Sequence, residues 1–308
     1  MSPSPPPPVD AWPAGAGARV RALHEDGTAV AVPAAPPVPP RDGWQFFFEL
    51  HLEWRAYVYS WWLLRHPLRT LRVPACPAVA LYVDLATGRA APVTELPAVE
   101  PGAVRIVCIS DTHTHHGRVR VPAGDVLVHA GDLTYMNQDY AEVARSFNAW
   151  SRAQPQALTF FTPGNHDGFC EKLGTAGVRA LMPDVFLAAH AGLEVRGCKI
   201  FGNAYSRASR SCNRAFTGPA QLELLTSAVP ADTDVFVSHT GRDVEMDRLL
   251  ARLQPRVHIY GHDHEFYGVQ TVTWPDTGRV TVRINAASLD DYYHPVNLPV
   301  VFDYVAAK

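Results

Sequence analysis

Five short apolar runs in this 308-residue chain end on the same kind of punctuation, and that recurrence restricts the fold more than any other feature. Val104 to Ser110 (VRIVCIS) runs into Asp111 and His113, Asp125 to Ala130 (DVLVHA) into Gly131 and Asp132, and Leu158 to Thr162 (LTFFT) into Gly164, Asn165, His166 and Asp167. Asp234 to Ser238 precedes His239, and Val257 to Tyr260 precedes Gly261, His262, Asp263 and His264. Apolar runs of this length, separated by helix-like stretches, read as the strands of an α/β domain. Polar groups just past the carboxyl ends of such strands converge on the ligand crevice, so the five turns point to one shared site.

The chemistry of those turns is narrow. Asp111, His113, Asp132, Asn165, His239, His262 and His264 offer carboxylate oxygens, imidazole nitrogens and one amide oxygen, and no thiolate. Hard and borderline donors of this kind suit Mn, Fe or Zn better than a closed structural zinc site. Seven donors are too many for one such ion. Two ions sharing a bridging carboxylate use them all, and a pair about 3.5–4 Å apart can clamp a phosphoryl group. Asp132 is the candidate bridge. Asp111 and His113 lie two residues apart, as do His262 and His264, so in extended backbone each pair points to one side. Ser110, Gly131, Gly164 and Gly261 supply small residues where the chain must turn close to the ligands. Any one motif alone is weak, because an isolated exposed histidine is usually solvated and Asn165-His166-Asp167 alone is an ordinary turn. The five together, in one order and each after a strand, carry the reading.

Taken as a set, D-T-H at Asp111 to His113, G-D at Gly131 and Asp132, G-N-H-D at Gly164 to Asp167, S-H at Ser238 and His239, and G-H-D-H at Gly261 to His264 resemble the calcineurin-like metallophosphoesterase superfamily. Within it, VRIVCISDTHTHHGRVRVPAGDVLVHAGDLT, then FNAW, FTPGNHD, INAAS and VVFDY, is similar to the metallophosphoesterase-domain-containing proteins of the brain-expressed type and their relatives. The resemblance implies an α/β fold of metallo-dependent phosphatase type, a two-sheet β-sandwich flanked by α-helices. It implies hydrolysis of a phosphate ester by in-line attack of a metal-bridging hydroxide. By the same resemblance Asp111, His113, Asp132 and His264 hold a first metal, and Asp132, Asn165, His239 and His262 a second. His166 then sits near the leaving oxygen as general acid or transition-state donor.

Two departures bear on substrate. The Ser/Thr protein phosphatases of the superfamily carry G-D-x-x-D-R-G, whereas Gly131-Asp132 continues here as Leu133-Thr134-Tyr135-Met136, which disfavours protein phosphatase activity. Closer relatives follow the histidine matching His239 with a Gly-Pro-Pro loop, where this chain has Thr240-Gly241-Arg242-Asp243. The expected substrate is a small phosphate ester, a phosphodiester of nucleotide-like kind. The alternatives are a non-catalytic binding or scaffold module on the same fold, and a nuclease.

The remaining sequence limits these readings without adding chemistry. A net charge of −3 lacks the basic surface that duplex nucleic acid demands, so no stable nucleic-acid binding is expected. Five scattered cysteines, Cys76, Cys108, Cys170, Cys198 and Cys212, form no C-x-x-C pair and indicate a reducing, cytoplasmic setting. Residues 1–43 are rich in Pro, Ala and Gly and read as a disordered tail. Residues 44–100 read as an aromatic helix, Trp44 to Arg65, and a hairpin over Val79 to Val93, packed on a phosphoesterase domain at 101–308. Glu49, His51, Glu53 and Arg55 argue against that helix spanning a membrane, and docking on the domain is preferred to membrane contact. Helices are expected over Asp139 to Gln154, Pro219 to Ala228 and Asp243 to Leu253, with Phe147 and Trp150 as core contacts. His115 and His116 read as loop residues with substrate contact as the alternative, His129 as a packed or hydrogen-bonded strand residue, and Arg207, Arg210 and Arg214 as solvated cations with a phosphate clamp as the alternative.

Overall fold

A computed structural model describes residues 20–22, 78–135, 139–207, 213–291 and 293–306. Strand β4 (Val104–Ile109) is buried at every position, as a parallel strand covered on both faces must be. The strand labels follow chain order: β1 (Val20–Ala22), β2 (Ala80–Asp84), β3 (Arg89–Val93), β5 (Val126–His129), β6 (Leu158–Phe161), β7 (Val185–Leu187) and β14 (Val300–Tyr304). Strands β4, β5, β6 and β7 pair in parallel. On the other edge β14 runs antiparallel to β4 and parallel to β2, and the β2–β3 hairpin completes a seven-stranded sheet ordered β3-β2-β14-β4-β5-β6-β7. The expected hairpin therefore forms the margin of this sheet itself.

The second sheet is built from β8 (His190–Val195), β9 (Cys198–Asn203), β10 (Val235–Thr240), β11 (Val257–Gly261), β12 (Gly268–Thr273) and β13 (Val280–Asn285), with β1 at one edge. Its order is β1-β8-β9-β10-β11-β13-β12, and β9, β10, β11 and β13 are mutually parallel. Alternate residues of the two sheets meet in a single core: Ile106, Cys108, Val126, Val128 and Phe160 from one, Ile200, Val235, Val237, Ile259 and Ile284 from the other. The result is the expected sandwich. The sequence reading treats residues 1–43 as a tail, and one correction falls within it: Val20–Ala22 pairs antiparallel with β8. An open sheet edge presents unpaired backbone groups that a passing segment can satisfy.

Helices cover both outer faces. Helix α1 (Tyr140–Arg152) starts where Asp139 accepts bonds from the backbone N–H groups of Ala141 and Glu142, an N-cap that satisfies donors the helix leaves free. Its Phe147 is fully buried and packs with Phe161 and Phe169. Helix α2 (Gly168–Leu181) lies beside it and escaped the sequence reading. Gly168, Gly174 and Gly177 weaken its helical signal, and Gly174 breaks its regularity with φ 60°. Helices α3 (Pro219–Ser227) and α4 (Val244–Leu253) lie close to their expected bounds and bury Leu225, Met246 and Leu250 against Phe201 and Phe236.

The aromatic helix expected between residues 44 and 65 lies outside the described residues, as do Cys76, Arg210 and Cys212. Cys108, Cys170 and Cys198 are buried free thiols. Among the described residues no helix is long and apolar enough to cross a membrane.

One charged pair crosses the first sheet. Arg105 of β4 grips Asp303 of β14 bidentately, Nε to Oδ1 and Nη2 to Oδ2 at 2.7 Å each, and Nη2 also donates to the Pro97 carbonyl. Both side chains are largely buried, so removing one partner strands the other charge in a poorly solvated place. Asp303→Ala is expected to destabilise the fold by about 3 kcal/mol, read as a lower urea midpoint at unchanged slope. An unchanged midpoint would mean that the pair contributes nothing net.

Candidate metal centre

The carboxyl ends of β4, β5, β6, β10 and β11 meet at one end of the sandwich, and backbone contacts stitch the two sheets together there. Ser110 bridges Ala287 in parallel, and the Ser288 N–H donates to the Ser110 carbonyl; within the first sheet the Asp111 N–H donates to the Gly131 carbonyl. Glycine is required where the turns crowd. Gly131 has φ 103°, and a Cβ there would run into the His239 ring. A Cβ on Gly261 would fall on the Asp111 carboxylate and the Ser110 hydroxyl.

These turns gather all seven donors expected from the sequence. Ligand atoms of Asp111, His113 and His264 lie within 4.8 Å of one another, as do those of Asp132, His239 and His262. Asn165 joins the second group, its Oδ1 lying 3.1 Å from His239 Nε2. Asp132 lies between the groups: its Oδ2 is 3.2 Å from His239 Nε2 and 3.9 Å from His113 Nε2. His166 Nε2 is 3.8 Å from the same oxygen, so His166 adjoins the donors from the side, and its buried Nδ1 has no partner.

Imidazole orientation follows from the backbone. His113 Nδ1 faces the Thr134 carbonyl, His239 Nδ1 the Ala130 carbonyl and His264 Nδ1 the Asp290 carbonyl, each at 2.9 Å. A carbonyl can only accept, so each Nδ1 carries a proton and each Nε2 is turned to the centre, where it can serve as the ligand atom once it is unprotonated. Asp132 is oriented in the same manner: the His166 N–H donates to its Oδ1 at 2.9 Å, which leaves Oδ2 facing inward. Asp111 accepts from the His262 N–H with both oxygens.

Buried charge makes this cluster a demanding one. Burial opposes ionisation of Asp132, yet His239, His166 and His113 outweigh it and hold the carboxyl well below its usual range. Asp111 is likewise lowered against burial by His264 and His239. Burial alone would depress His239, but Asp132 and Asp111 push it up to about 10. Against the same burial, Asp111 raises His264 to about 9. Burial and His166 drive His113 down to about 3, and burial and His239 drive His262 down to about 4. Two buried carboxylates thus draw positive charge to the centre. An inward-facing set of oxygen and imidazole donors, oriented through backbone carbonyls and crowded enough to exclude a Cβ, fits metal ions.

Several supports were not legible as such in the sequence. Asp167 is fully buried and accepts from the N–H groups of Thr134 and Gly164, tying the turn after β5 to the turn after β6. Burial and the neighbouring Asp132 push its carboxyl up to about 6. Asn285 of β13 donates to the Asp263 carbonyl at 2.7 Å and so holds the backbone between His262 and His264. Only adjacency to a motif could have flagged either residue. Tyr135 and Tyr293 stand against the donor imidazoles, and no motif marks them. His116, read as a loop residue, is instead buried against Phe147 and Trp150, with its Nε2 3.1 Å from the Ser146 hydroxyl. Arg207 is exposed and pairs with Asp263, while the Thr240 to Asp243 turn leads into α4, which Asp243 caps.

Comparison with known proteins agrees with this geometry. The profile of the calcineurin-like phosphoesterase family matches residues 104–266. Metallophosphoesterase domain-containing protein 1 of Homo sapiens is 27% identical over 243 residues, covering 66% of this chain and 72% of that protein. UPF0046 protein K07C11.7 of Caenorhabditis elegans is 32% identical, covering 67% of this chain and 76% of its own length. A second protein of that organism, UPF0046 protein C25E10.12, is 30% identical over 65% of this chain and 80% of its own length.

A proton count tests the charge balance of the cluster. Before a metal enters, His239 and His264, with values raised to about 10 and about 9, hold protons at pH 7.5 that a metal ligand must shed. Metal binding is expected to release close to two protons at that pH and to tighten as pH rises, levelling off above about 10. Calorimetric titration with Mn in buffers of different ionisation enthalpy reads the number directly. A release near zero would show that both imidazoles are already neutral.

Proposed function

The chain belongs to the calcineurin-like phosphoesterase family, whose members hydrolyse phosphoesters with the help of metal ions, and on that premise we propose that it is a dinuclear phosphodiesterase acting on small, nucleotide-like esters. The observation that carries this reading is the placement of Asp132 Oδ2 between the two donor groups, within reach of His113 on one side and His239 on the other. Asp111, His113, Asp132 and His264 would hold one ion, and Asp132, Asn165, His239 and His262 the other. The mixed oxygen and imidazole set suits Mn, Fe or Zn. Bound there, such ions supply Lewis acidity, which acidifies water and neutralises charge building on phosphoryl oxygens.

The protein's own part is orientation and hydrogen bonding. Backbone carbonyls keep Nε2 of His113, His239 and His264 turned inward, so the donor set needs no reorganisation when substrate arrives. His166 stands beside Asp132 with its backbone N–H bound to that carboxylate. Burial holds its ring below the usual imidazole range and so neutral at neutral pH, and from beside Asp132 it can offer a hydrogen bond to the leaving oxygen. Support for a diester comes from what flanks the donors among the described residues: Tyr135, Tyr293 and Asn213 present phenols and an amide, and Arg207 is paired with Asp263. A dianionic monoester calls for cationic clamps such as bidentate arginines more than a monoanionic diester does.

Metal-stripped protein reloaded with Mn is expected to cleave bis-p-nitrophenyl phosphate faster than p-nitrophenyl phosphate. His262→Ala and Asp132→Asn should each lose at least about a hundredfold in turnover, with weakened metal binding. Faster monoester cleavage would overturn the diester assignment, and a wild-type protein that binds two ions without turnover would be a binding module instead. His166→Ala should keep both ions yet lose rate by about a hundredfold or more. Undiminished turnover in that variant would remove His166 from the mechanism.

A further inference from the structure

The segment between β13 and β14 delivers to the site a residue that the seven donors do not explain. Tyr293 sits in left-handed backbone, φ 62°, a conformation costly for a bulky side chain and one that collects at functional sites. The turn is held in place: the Tyr293 N–H donates to the Asp290 carbonyl at 2.9 Å, and that carbonyl also receives His264 Nδ1. The Tyr293 ring stands 5.0 Å from His113, 5.2 Å from His264 and 5.1 Å from Tyr135, centroid to centroid. Tyr135 in turn lies parallel to His166 at 6.0 Å and edge-on to His113 at 5.5 Å.

Two phenol rings therefore form one aromatic surface against three imidazoles of the site. Neither ring belongs to the hydrophobic clusters that hold the sheets and helices together among the described residues. Tyr293 also remains 37% exposed, so part of the residue is open to solvent beside the donors at a backbone cost. Packing needs do not account for that arrangement, whereas stacking of a flat ligand does.

We propose that Tyr135 and Tyr293 are specificity-determining residues, an aromatic subsite that stacks on a flat, unsaturated group carried by the phosphate, an aryl ring or a nucleobase. The proposal rests on the phosphoesterase reading and adds to it the part of the substrate that these two rings select. A flat group lying on the Tyr293 face keeps its phosphate directed at the Asp132 side of the cluster. An alkyl group of similar reach lacks the π-surface and gains little there.

Direct binding to the full-length, Mn-loaded protein tests this without relying on turnover. Two ligand pairs are titrated by calorimetry: phenylphosphonate against methylphosphonate, and adenosine 5′-monophosphate against ribose 5-phosphate. The first pair probes an aryl ring next to phosphorus, the second a base reaching across a ribose. At least one pair should favour its flat member by about fivefold or more in wild type, the usual scale of one stacked ring. Tyr293→Phe should keep the preference, whereas Tyr293→Leu and Tyr135→Leu, which keep bulk without a π-face, should reduce it toward unity. Equal affinities within both pairs in wild type, or an unchanged preference in both leucine variants, would overturn the subsite while leaving the phosphoesterase reading intact. If no phosphonate or phosphate binds the Mn-loaded wild type, the phosphoesterase reading itself fails and the subsite with it. Loss of both members of a pair in equal proportion would assign the rings to buttressing His113 and reject the proposal.

Discussion

The carboxylate of Asp132 is the interaction on which the centre depends. It is 2% exposed, and an ionised group so placed needs several partners to offset its lost hydration. One oxygen takes the His166 backbone N–H, and the other faces the imidazoles of His239, His166 and His113. Those partners arrive on three different segments from both sheets, the turns after β4 and β6 and strand β10. The sheets must therefore converge at this end, and the bridge between Ser110 and Ala287 marks where they do. Elsewhere the two sheets meet through side chains of the shared core, so the distance between the donor groups is set by how the sheets pack. A parallel strand buried on both faces, like β4, gives little under load. Precision at the site is thus inherited from the core.

Backbone conformation shows where that precision is costly. Asp111, His113, Asp132 and His262 all have positive φ, from 39° to 71°, a region that non-glycine residues avoid. Four of the seven donors being strained in one place is the signature of a turn shaped by its task. The neighbouring Gly131 and Gly261 let these turns lie close enough for side chains to overlap positions where a Cβ would stand. Hydrogen bonds accepted by Asp167 and donated by Asn285 then hold the turns against relaxation.

Much of this was legible because two periodicities and a set of turn residues coincide. The apolar runs that became β4, β5, β6, β10 and β11 are continuous, which marks strands buried on both faces, and ligand-type residues follow each one. Helices α1 and α4 fall within the expected spans Asp139 to Gln154 and Asp243 to Leu253, and in the structure Asp139 and Asp243 cap them. Sheet order was not legible: β14 lies between β2 and β4 although it closes the chain, and no local signal encodes such long-range pairing. Helix α2 was hidden by its glycines. Tyr293 was hidden for another reason, since its role depends on a turn built by Asp290 and on rings brought from distant segments.

His129 shows how the core and the centre are coupled. It interrupts the apolar run of β5 and is fully buried, where burial pushes its imidazole down to about 3, so the ring is neutral. The Gly131 N–H donates to its Nδ1 at 3.3 Å, which leaves the proton on Nε2, and Nε2 is 2.9 Å from the Thr112 hydroxyl. A single tautomer therefore fixes two turns at once: the one presenting Asp132 and the one presenting Asp111 and His113. An apolar residue of equal volume would pack in the strand without difficulty, between Phe147 and Phe161. It would leave a buried backbone N–H and a hydroxyl without partners at the two turns that most need to stay put. The polar residue inside the strand is consistent with a requirement imposed by the site, met at the expense of the core.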